Sequence, residues 1–273
     1  MQTCYRHGDR KAGVICQRCD RPICPSCMHQ ASVGFHCPEC TKSGAQKVVR
    51  ASQLRTRPVV TYALIAVNVV IFLAGVGSGL QTRTPVIVDY GLISLGQTPL
   101  GPVGVGAGEW YRLVTSGFLH INIIHIAFNM LALYQLGSLI ETAFGRLRFV
   151  VVYFTSMLVG SLGVVLLTPD RLTVGASGAV FGLMGCAFMA MRARGIDPFS
   201  TGLGGTIVLN LIITFTLSSY ISVGGHIGGL IGGAICGWIL TDFGPKQLRD
   251  PRTTLAAVAA VGVAAFVASI VVA

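Results

Sequence analysis

Seven apolar runs dominate the chain from residue 59 onwards, near 59–76, 117–140, 148–168, 175–192, 203–221, 223–241 and 255–273. About 20 apolar residues in helical form cross the hydrocarbon core of a bilayer, and in lipid the backbone must satisfy its own hydrogen bonds. The runs therefore predict an all-α polytopic membrane protein embedded in a lipid bilayer. Composition agrees, with 52% hydrophobic and only 11% charged residues, less than half the charged share of ordinary soluble domains. The net charge of +10 does not describe a nucleic-acid groove, because half of the 20 Lys and Arg residues precede Pro58, ahead of the first apolar run. The start of the chain is polar and cysteine-rich, so no cleavable leader is expected.

Loop charges predict an orientation. With the N-terminus in the cytosol, seventeen Lys and Arg residues fall on the inner side, and Arg83, Arg112 and Arg171 alone fall outside. Basic residues concentrate on the cytosolic side of membrane proteins, so the C-terminus is expected outside. The 40 residues between the first two runs are rich in glycine and proline and end near Trp110 and Tyr111, which suits a structured loop at the membrane interface. Residues 42–58, with Lys42, Lys47, Arg50, Arg55 and Arg57, read as a basic tether against anionic headgroups.

Residues 1–41 hold seven of the nine cysteines, arranged as Cys4-x2-His7, Cys16-x2-Cys19, Cys24-x2-Cys27 and Cys37-x2-Cys40. Two intervening residues let both side chains of a pair turn onto one ion. Four pairs supply eight ligands, enough for two tetrahedral structural zinc ions. A segment this short buries too little apolar surface to fold alone, and bound metal can supply the missing free energy. A disulfide framework needs an oxidising compartment, against the cytosolic placement. The arrangement resembles a B-box or RING-like cross-brace, in which pairs one and three share one ion and pairs two and four the other; sequential pairing is the alternative. His29 and His36 are spare and read as solvated. With every ligand position occupied by protein, the segment reads as an interaction module for a cytosolic protein partner.

Polar residues inside the apolar runs are costly and mark functional sites by default. Ser177 lies in Gly175-Ala176-Ser177-Gly178 at the start of the fourth run, and His226 is the fourth residue of the sixth. In the predicted topology both enter from the outside, as does the second run, which carries His120, His125 and Asn129. Gly225, Gly229, Gly233 and Gly237 form a bare stripe on the sixth run, and Gly178 and Gly182 a matching one on the fourth. Stripes of small residues let helices approach closely. Packing alone explains the glycines, but not a histidine at the edge of the contact. A serine hydroxyl needs an adjacent base to act as a nucleophile, and imidazole is the usual one. The sixth run has no carboxylate before Asp242, so a Ser-His dyad without a third member is expected. His125 and Asn129 share a helical face and, with the Ser177 backbone N–H, could stabilise an oxyanion. His120 should point partly elsewhere and line a water-accessible mouth.

These residues resemble the rhomboid intramembrane serine proteases across roughly residues 58–241. The resemblance rests on Trp110-Tyr111-Arg112, His120-x4-His125-x3-Asn129, Glu141 with Gly145, the Gly175–Gly178 segment, and His226-x2-Gly229-x3-Gly233. It implies a six-helix catalytic core over 59–241, a loop and seventh helix over 242–273, Ser177 as nucleophile and His226 as general base. It implies oxyanion stabilisation by His125, Asn129 and the Ser177 amide, loop support from Trp110 and Arg112, and no cofactor for catalysis. Phe181 stands where many members stack a tyrosine on the histidine. The implied substrates are single-span membrane proteins cut in or near the spanning segment. Two rival readings are an inactive rhomboid-like protein that escorts membrane clients, and a transporter; the latter lacks an internal repeat or a carboxylate within a span.

Overall fold

The computed structural model describes residues 2–43, 57–76, 85–241 and 250–273. The sequence-predicted tether residues Lys47, Arg50 and Arg55, and also Arg83, Asp242, Lys246 and Arg249, lie outside the described residues. The chain divides into two compact units, Met1–Thr56 and Arg57–Ala273.

The first unit holds two small antiparallel hairpins and a short helix. Strands β1 (Val14–Ile15) and β2 (Pro22–Ile23) pair with Val14 opposite Ile23, and β3 (His29–Gln30) and β4 (Phe35–His36) pair with His29 opposite His36. Helix α1 (Pro38–Ser43) follows. Its buried core is Cys4, Cys16, Cys24, Cys27, Cys37 and one ordinary apolar side chain, Ile23. A core made almost wholly of thiols cannot supply the apolar burial that holds a domain together.

The second unit is helical. Helix α2 (Val59–Val76) comes first. The long loop contains α3 (Pro85–Tyr90), a hairpin of β5 (Gly96–Thr98) and β6 (Gly101–Val103), and α4 (Arg112–Thr115). Then come α5 (Ile123–Phe144), α6 (Arg146–Leu167), α7 (Ser177–Ala193), α8 (Leu203–Thr216), α9 (Val223–Leu240) and α10 (Pro251–Val272). Among the described residues, α5, α6, α9 and α10 are long and apolar enough to cross a membrane on length and composition alone. Helix α2 is apolar and borders residues outside the description; α7 and α8 are apolar but have only 17 and 14 residues. At 1.5 Å per residue α7 spans about 25 Å, some 5 Å short of a ~30 Å hydrocarbon core. It can be short because it is walled by protein, with Val180 to Ala187 buried without a break.

Helix α9 packs on both α6 and α7 through glycine. Gly229 and Gly233 face the backbone of Gly178 and Gly182 on α7, where a methyl on either would overlap a carbonyl oxygen. The expected stripe contact is present. A second bare face, not anticipated, meets α6: Gly224 abuts Gly163, and a methyl on Gly228 would sit 2.5 Å from the Val159 carbonyl. The bundle also pins its first helix. Glu141 on α5 accepts the Val60 N–H at 3.0 Å and the Thr61 N–H and hydroxyl at 2.8 Å each. These satisfy donors that a helix N-terminus leaves open. Gly137, one turn earlier, gives Thr61 the room to approach.

Several element boundaries differ from the apolar runs. Helix α5 starts at Ile123 rather than 117, because the Asn122 side chain caps it by accepting the His125 N–H at 2.8 Å. His120 therefore precedes this helix instead of lying on it. Helix α7 starts at Ser177, two residues later than the run, since Gly175 has φ of 129°, outside the helical region. Helix α8 ends at Thr216, where the chain turns through Leu217–Tyr220. Helix α10 starts early, at Pro251, under an Asp250 cap that takes the Arg252 and Thr253 N–H groups at 3.0 Å.

Replacing Gly233 by alanine should destabilise the bundle by about 1–3 kcal/mol, the usual cost of overpacking. Gly205→Ala on α8, where nothing lies within 4 Å of the added methyl, should leave stability unchanged or raise it by up to about 1 kcal/mol. Denaturant unfolding in micelles compares the two.

Candidate functional site

Ser177 opens α7. The segment before it is held from two sides: Leu92 and Thr173 exchange backbone hydrogen bonds of 2.9 and 2.7 Å, and the Gly175 N–H donates to the Ser116 carbonyl at 2.9 Å. Only glycine fits at 175, because a Cβ would lie 2.8 Å from the His125 ring in a left-handed backbone. The same position lies 3.6 Å from Ser177 Oγ, so His125 and the Ser177 hydroxyl flank one point. As the first residue of its helix, Ser177 has an N–H with no intrahelical acceptor, and none is found elsewhere among the described residues.

His226 lies one turn inside α9, whose N-terminus is capped by Ser222 accepting the Gly225 N–H at 3.1 Å. Its imidazole is 8% exposed and stacks on Phe181 with ring centroids 4.0 Å apart and 19° between planes. Phe181 is one helical turn beyond Ser177 on α7. Gly178 and Gly225, the immediate neighbours of serine and histidine, are themselves in contact: a methyl on Gly178 would be 3.3 Å from the Gly225 carbonyl oxygen. The hydroxyl and the imidazole thus share one level of the α7–α9 seam. Among the described residues no hydrogen bond joins them.

The Nδ1 of His226 has a partner that sequence reasoning missed. It lies 2.7 Å from the hydroxyl of Thr214, on α8. No spacing rule links residues on two helices across a turn, so the only available signal was a hydroxyl in an apolar helix.

The other polar residues gather nearby. His120 is 5% exposed, and its ring centroid is 5.0 Å from that of His125. It faces its neighbour histidine rather than pointing elsewhere as expected, because the chain there is extended and not helical. Neither of its ring nitrogens, nor Nδ1 of His125, makes a well-aligned hydrogen bond among the described residues. Asn129 is buried one turn further along α5 and donates one amide hydrogen to the His125 carbonyl at 2.9 Å, leaving a second. A small cavity of about 30 Å³ lies at Ser177, with Ser116, Ser161, Thr173 and Ser222 in its wall. That is room for a water molecule with polar partners.

Arg112 and Trp110 are not part of this cluster. Arg112 is 2% exposed. It donates to the Val88 and Gly91 carbonyls at 2.7 Å and to Glu109 at 2.8 Å, tying the long loop together. Glu109 was not singled out in the sequence, although it stands three residues before its partner. The Trp110 side chain is 49% exposed and faces outwards, as interfacial tryptophans do.

In the first unit, Cys4, His7, Cys24 and Cys27 bring four ligand atoms together, and Cys16, Cys19, Cys37 and Cys40 bring four more, each set within 4.8 Å of one another. The grouping is pairs one and three, and pairs two and four. His29 and His36 belong to neither set. Nδ1 of His7 is 3.5 Å from Cys24 Sγ and 3.4 Å from Cys27 Sγ; Cys19 Sγ is 3.7 Å from Cys37 Sγ. A disulfide needs about 2.05 Å. A tetrahedron with bonds of about 2.3 Å to sulfur and 2.0–2.1 Å to nitrogen has edges of about 3.5–3.8 Å, so the spacing fits metal ligation. Without a cation the thiols compete for charge. Burial pushes the Cys4 and Cys16 thiols up, but backbone N–H groups outweigh it and hold both at about 6. Burial and hydrogen bonds to its neighbour thiols raise Cys27 to about 11, and hydrogen bonds to Cys19 and Cys37 raise Cys40 to about 12.

Apolar helices wrapped around a glycine-walled pair, with a serine and three histidines gathered at one end, define a multi-pass membrane protein with a polar centre inside its bundle. The Rhomboid domain matches residues 107–243, half of the chain, and the chain belongs to the rhomboid family. It is 35% identical over 174 residues to Rhomboid protease GluP of Bacillus subtilis, covering 63% of this chain and 32% of that one. It is 31% identical over 153 residues to Putative rhomboid protease YdcA of the same organism, covering 55% of this chain and 74% of that protein. It is also 30% identical over 127 residues to Inactive RHOMBOID-like protein 8 of Arabidopsis thaliana, covering 44% of this chain and 36% of that one. The chain thus spans about a third of GluP, and its relatives include proteases and an inactive member.

Arg112→Leu strands the buried Gly91 carbonyl, the part-buried Val88 carbonyl and the Glu109 carboxylate, and a buried acceptor left unpaired costs about 1–3 kcal/mol. The variant should unfold at a temperature several degrees lower, measured by thermal scanning in detergent, while Trp110→Leu should shift it far less.

Proposed function

We propose that the chain is an intramembrane serine protease that hydrolyses peptide bonds in or near the spanning segment of single-span membrane proteins. The observation that carries this reading is the stacking of His226 on Phe181, which brings the imidazole to the seam one turn from the Ser177 hydroxyl. A histidine buried inside a bundle of apolar helices, at a glycine-walled contact beside a serine, has no packing role that an apolar residue would not fill better.

In this reading Ser177 Oγ passes its proton to Nε2 of His226 and attacks the substrate carbonyl. The developing oxyanion takes hydrogen bonds from the Ser177 N–H, the second Asn129 amide hydrogen and the His125 ring. The imidazolium returns the proton to the leaving amine, and a water from the cavity beside Ser177 hydrolyses the acyl-enzyme with His226 again as base. A helical substrate must unwind before its carbonyl is open to attack, which favours helix-weakening residues near the cut. The loop-charge asymmetry supports a plasma-membrane location with a cytosolic N-terminus and the catalytic centre towards the outer face. The inactive-client-binding reading is disfavoured by the presence of both Ser177 and His226.

The first unit is proposed to hold two structural zinc ions, one in each four-ligand set, and to engage a cytosolic protein. Soft thiolate and imidazole donors in closed tetrahedral sets suit zinc. The proposed organisation is a zinc module over 1–41, a tether over 42–58, a six-helix core over 59–241 and a final loop and helix over 242–273.

Ser177→Ala and His226→Ala should each reduce cleavage of a model single-span substrate by at least a thousandfold, and Ser177→Ala should abolish labelling by a fluorophosphonate. Persistent cleavage by the serine variant would falsify the protease reading. For the first unit, zinc must displace the protons that Cys27 and Cys40 retain at neutral pH. Zinc uptake should therefore release at least one proton per ion, and affinity should rise with pH. Calorimetry in buffers of different ionisation enthalpy measures both, and Cys16→Ser should lower the bound zinc by at least half, because the two ligand sets are interleaved.

A further inference from the structure

The dyad has a hidden third contact. Thr214 on α8 is 1% exposed, and its hydroxyl makes two close approaches, 2.7 Å to the Asn210 carbonyl oxygen and 2.7 Å to Nδ1 of His226. A hydroxyl has one proton to give and two lone pairs with which to accept. The Asn210 carbonyl can only accept, so at this distance it must receive that proton; otherwise two oxygens would face each other with no hydrogen between them. Nδ1 of His226 is then left facing a lone pair, an arrangement that is favourable only when Nδ1 carries the imidazole hydrogen.

We propose that Thr214 is the positioning residue of the catalytic base: through the relay His226 Nδ1–H to Thr214 hydroxyl to Asn210 carbonyl, it locks the neutral imidazole in the tautomer whose Nε2 is bare. This rests on the protease reading for its catalytic meaning, but the tautomer itself does not. A bare Nε2 is what a general base requires, and Phe181 fixes the plane of the ring while Thr214 fixes its rotation within that plane. In serine hydrolases a carboxylate commonly does this work. Here a neutral hydroxyl does it, which avoids placing a second ionisable group among apolar helices, where a charge is costly. The hydroxyl also stabilises the imidazolium less than a carboxylate would, because it offers a dipole and no net negative charge. Helix α8 packs far less extensively on its neighbours than α9 does on α6 and α7, so this relay is one of the few specific ties between α8 and the reacting residues.

The test uses the full chain in detergent micelles with 15N-labelled histidine. The His226 ring signals are assigned by their loss in His226→Ala. In the wild type they should report hydrogen on Nδ1 and a bare Nε2. Thr214→Val keeps the shape and removes the relay; it should redistribute the hydrogen towards Nε2. It should also lower kcat for a model substrate at least about tenfold with KM unchanged. Thr214→Ser, which retains the hydroxyl, should restore the wild-type tautomer and most of the turnover. A wild-type imidazole with its hydrogen on Nε2, an unaltered tautomer in Thr214→Val, or equal losses in the valine and serine variants would each overturn the proposal. The wild-type spectrum decides the first of these even if the valine variant does not fold. A wild type that neither cleaves nor takes up fluorophosphonate would remove the protease reading instead, and the ring signals would still decide the tautomer.

Discussion

Backbone-to-backbone contact along α9 is the constraint from which the rest of the bundle follows. Seven of its 18 residues are glycine, and each sacrifices about 1 kcal/mol of helical preference relative to alanine. No membrane helix retains such a composition for its own stability. The loss is offset by dispersion contacts between α9 and two helices at once, with carbonyl oxygens of α6 and α7 occupying the space that side chains would fill. Because both faces are used, α9 cannot rotate or slide without collision on one side or the other. The height of His226 relative to Ser177 is thereby set by glycine.

Around this rigid seam the polar centre is assembled from chain ends rather than helix middles. Ser177 is the first residue of its helix, His226 follows a serine cap, and His125 follows an asparagine cap. Helix starts carry N–H donors without intrahelical acceptors; side-chain caps take some of those on α5 and α9, and the Ser177 N–H is left open towards the polar centre. The long loop contributes its own backbone bonds through Leu92 and Ser116, and Arg112 keeps that loop folded by filling three of its acceptors.

Much of this was legible in the chain. The apolar runs gave the helices because lipid permits few alternatives, and the four-residue glycine period exposed the contact between α7 and α9. The second glycine face of α9 is also present in the sequence, at Gly224, Gly228 and Gly232, with Gly160 and Gly163 as its counterpart; a single four-residue period does not reveal it, because it lies one residue out of step with the first. Helix starts shifted where a cap overrode hydropathy, as Asn122 and Asp250 did, and both are ordinary capping residues in the sequence. Other features had no local signature. The partner of Glu141 is some 80 residues away, and Thr214 meets His226 only because the turn after α8 folds back. His120 was misplaced because a helical period was assumed across a segment that is extended.

The alternation of the cysteine pairs has its own consequence for how the first unit comes into being. Cys16 and Cys19 lie between the two halves of one ligand set, and Cys24 and Cys27 between the two halves of the other. Neither set is closed by a contiguous stretch, so neither half of the module is a segment separate from the other. Emergence of Cys27 completes the first set, but the loop it encloses already holds half of the second. The module is braided rather than beaded, and it gains or loses its shape as a single act.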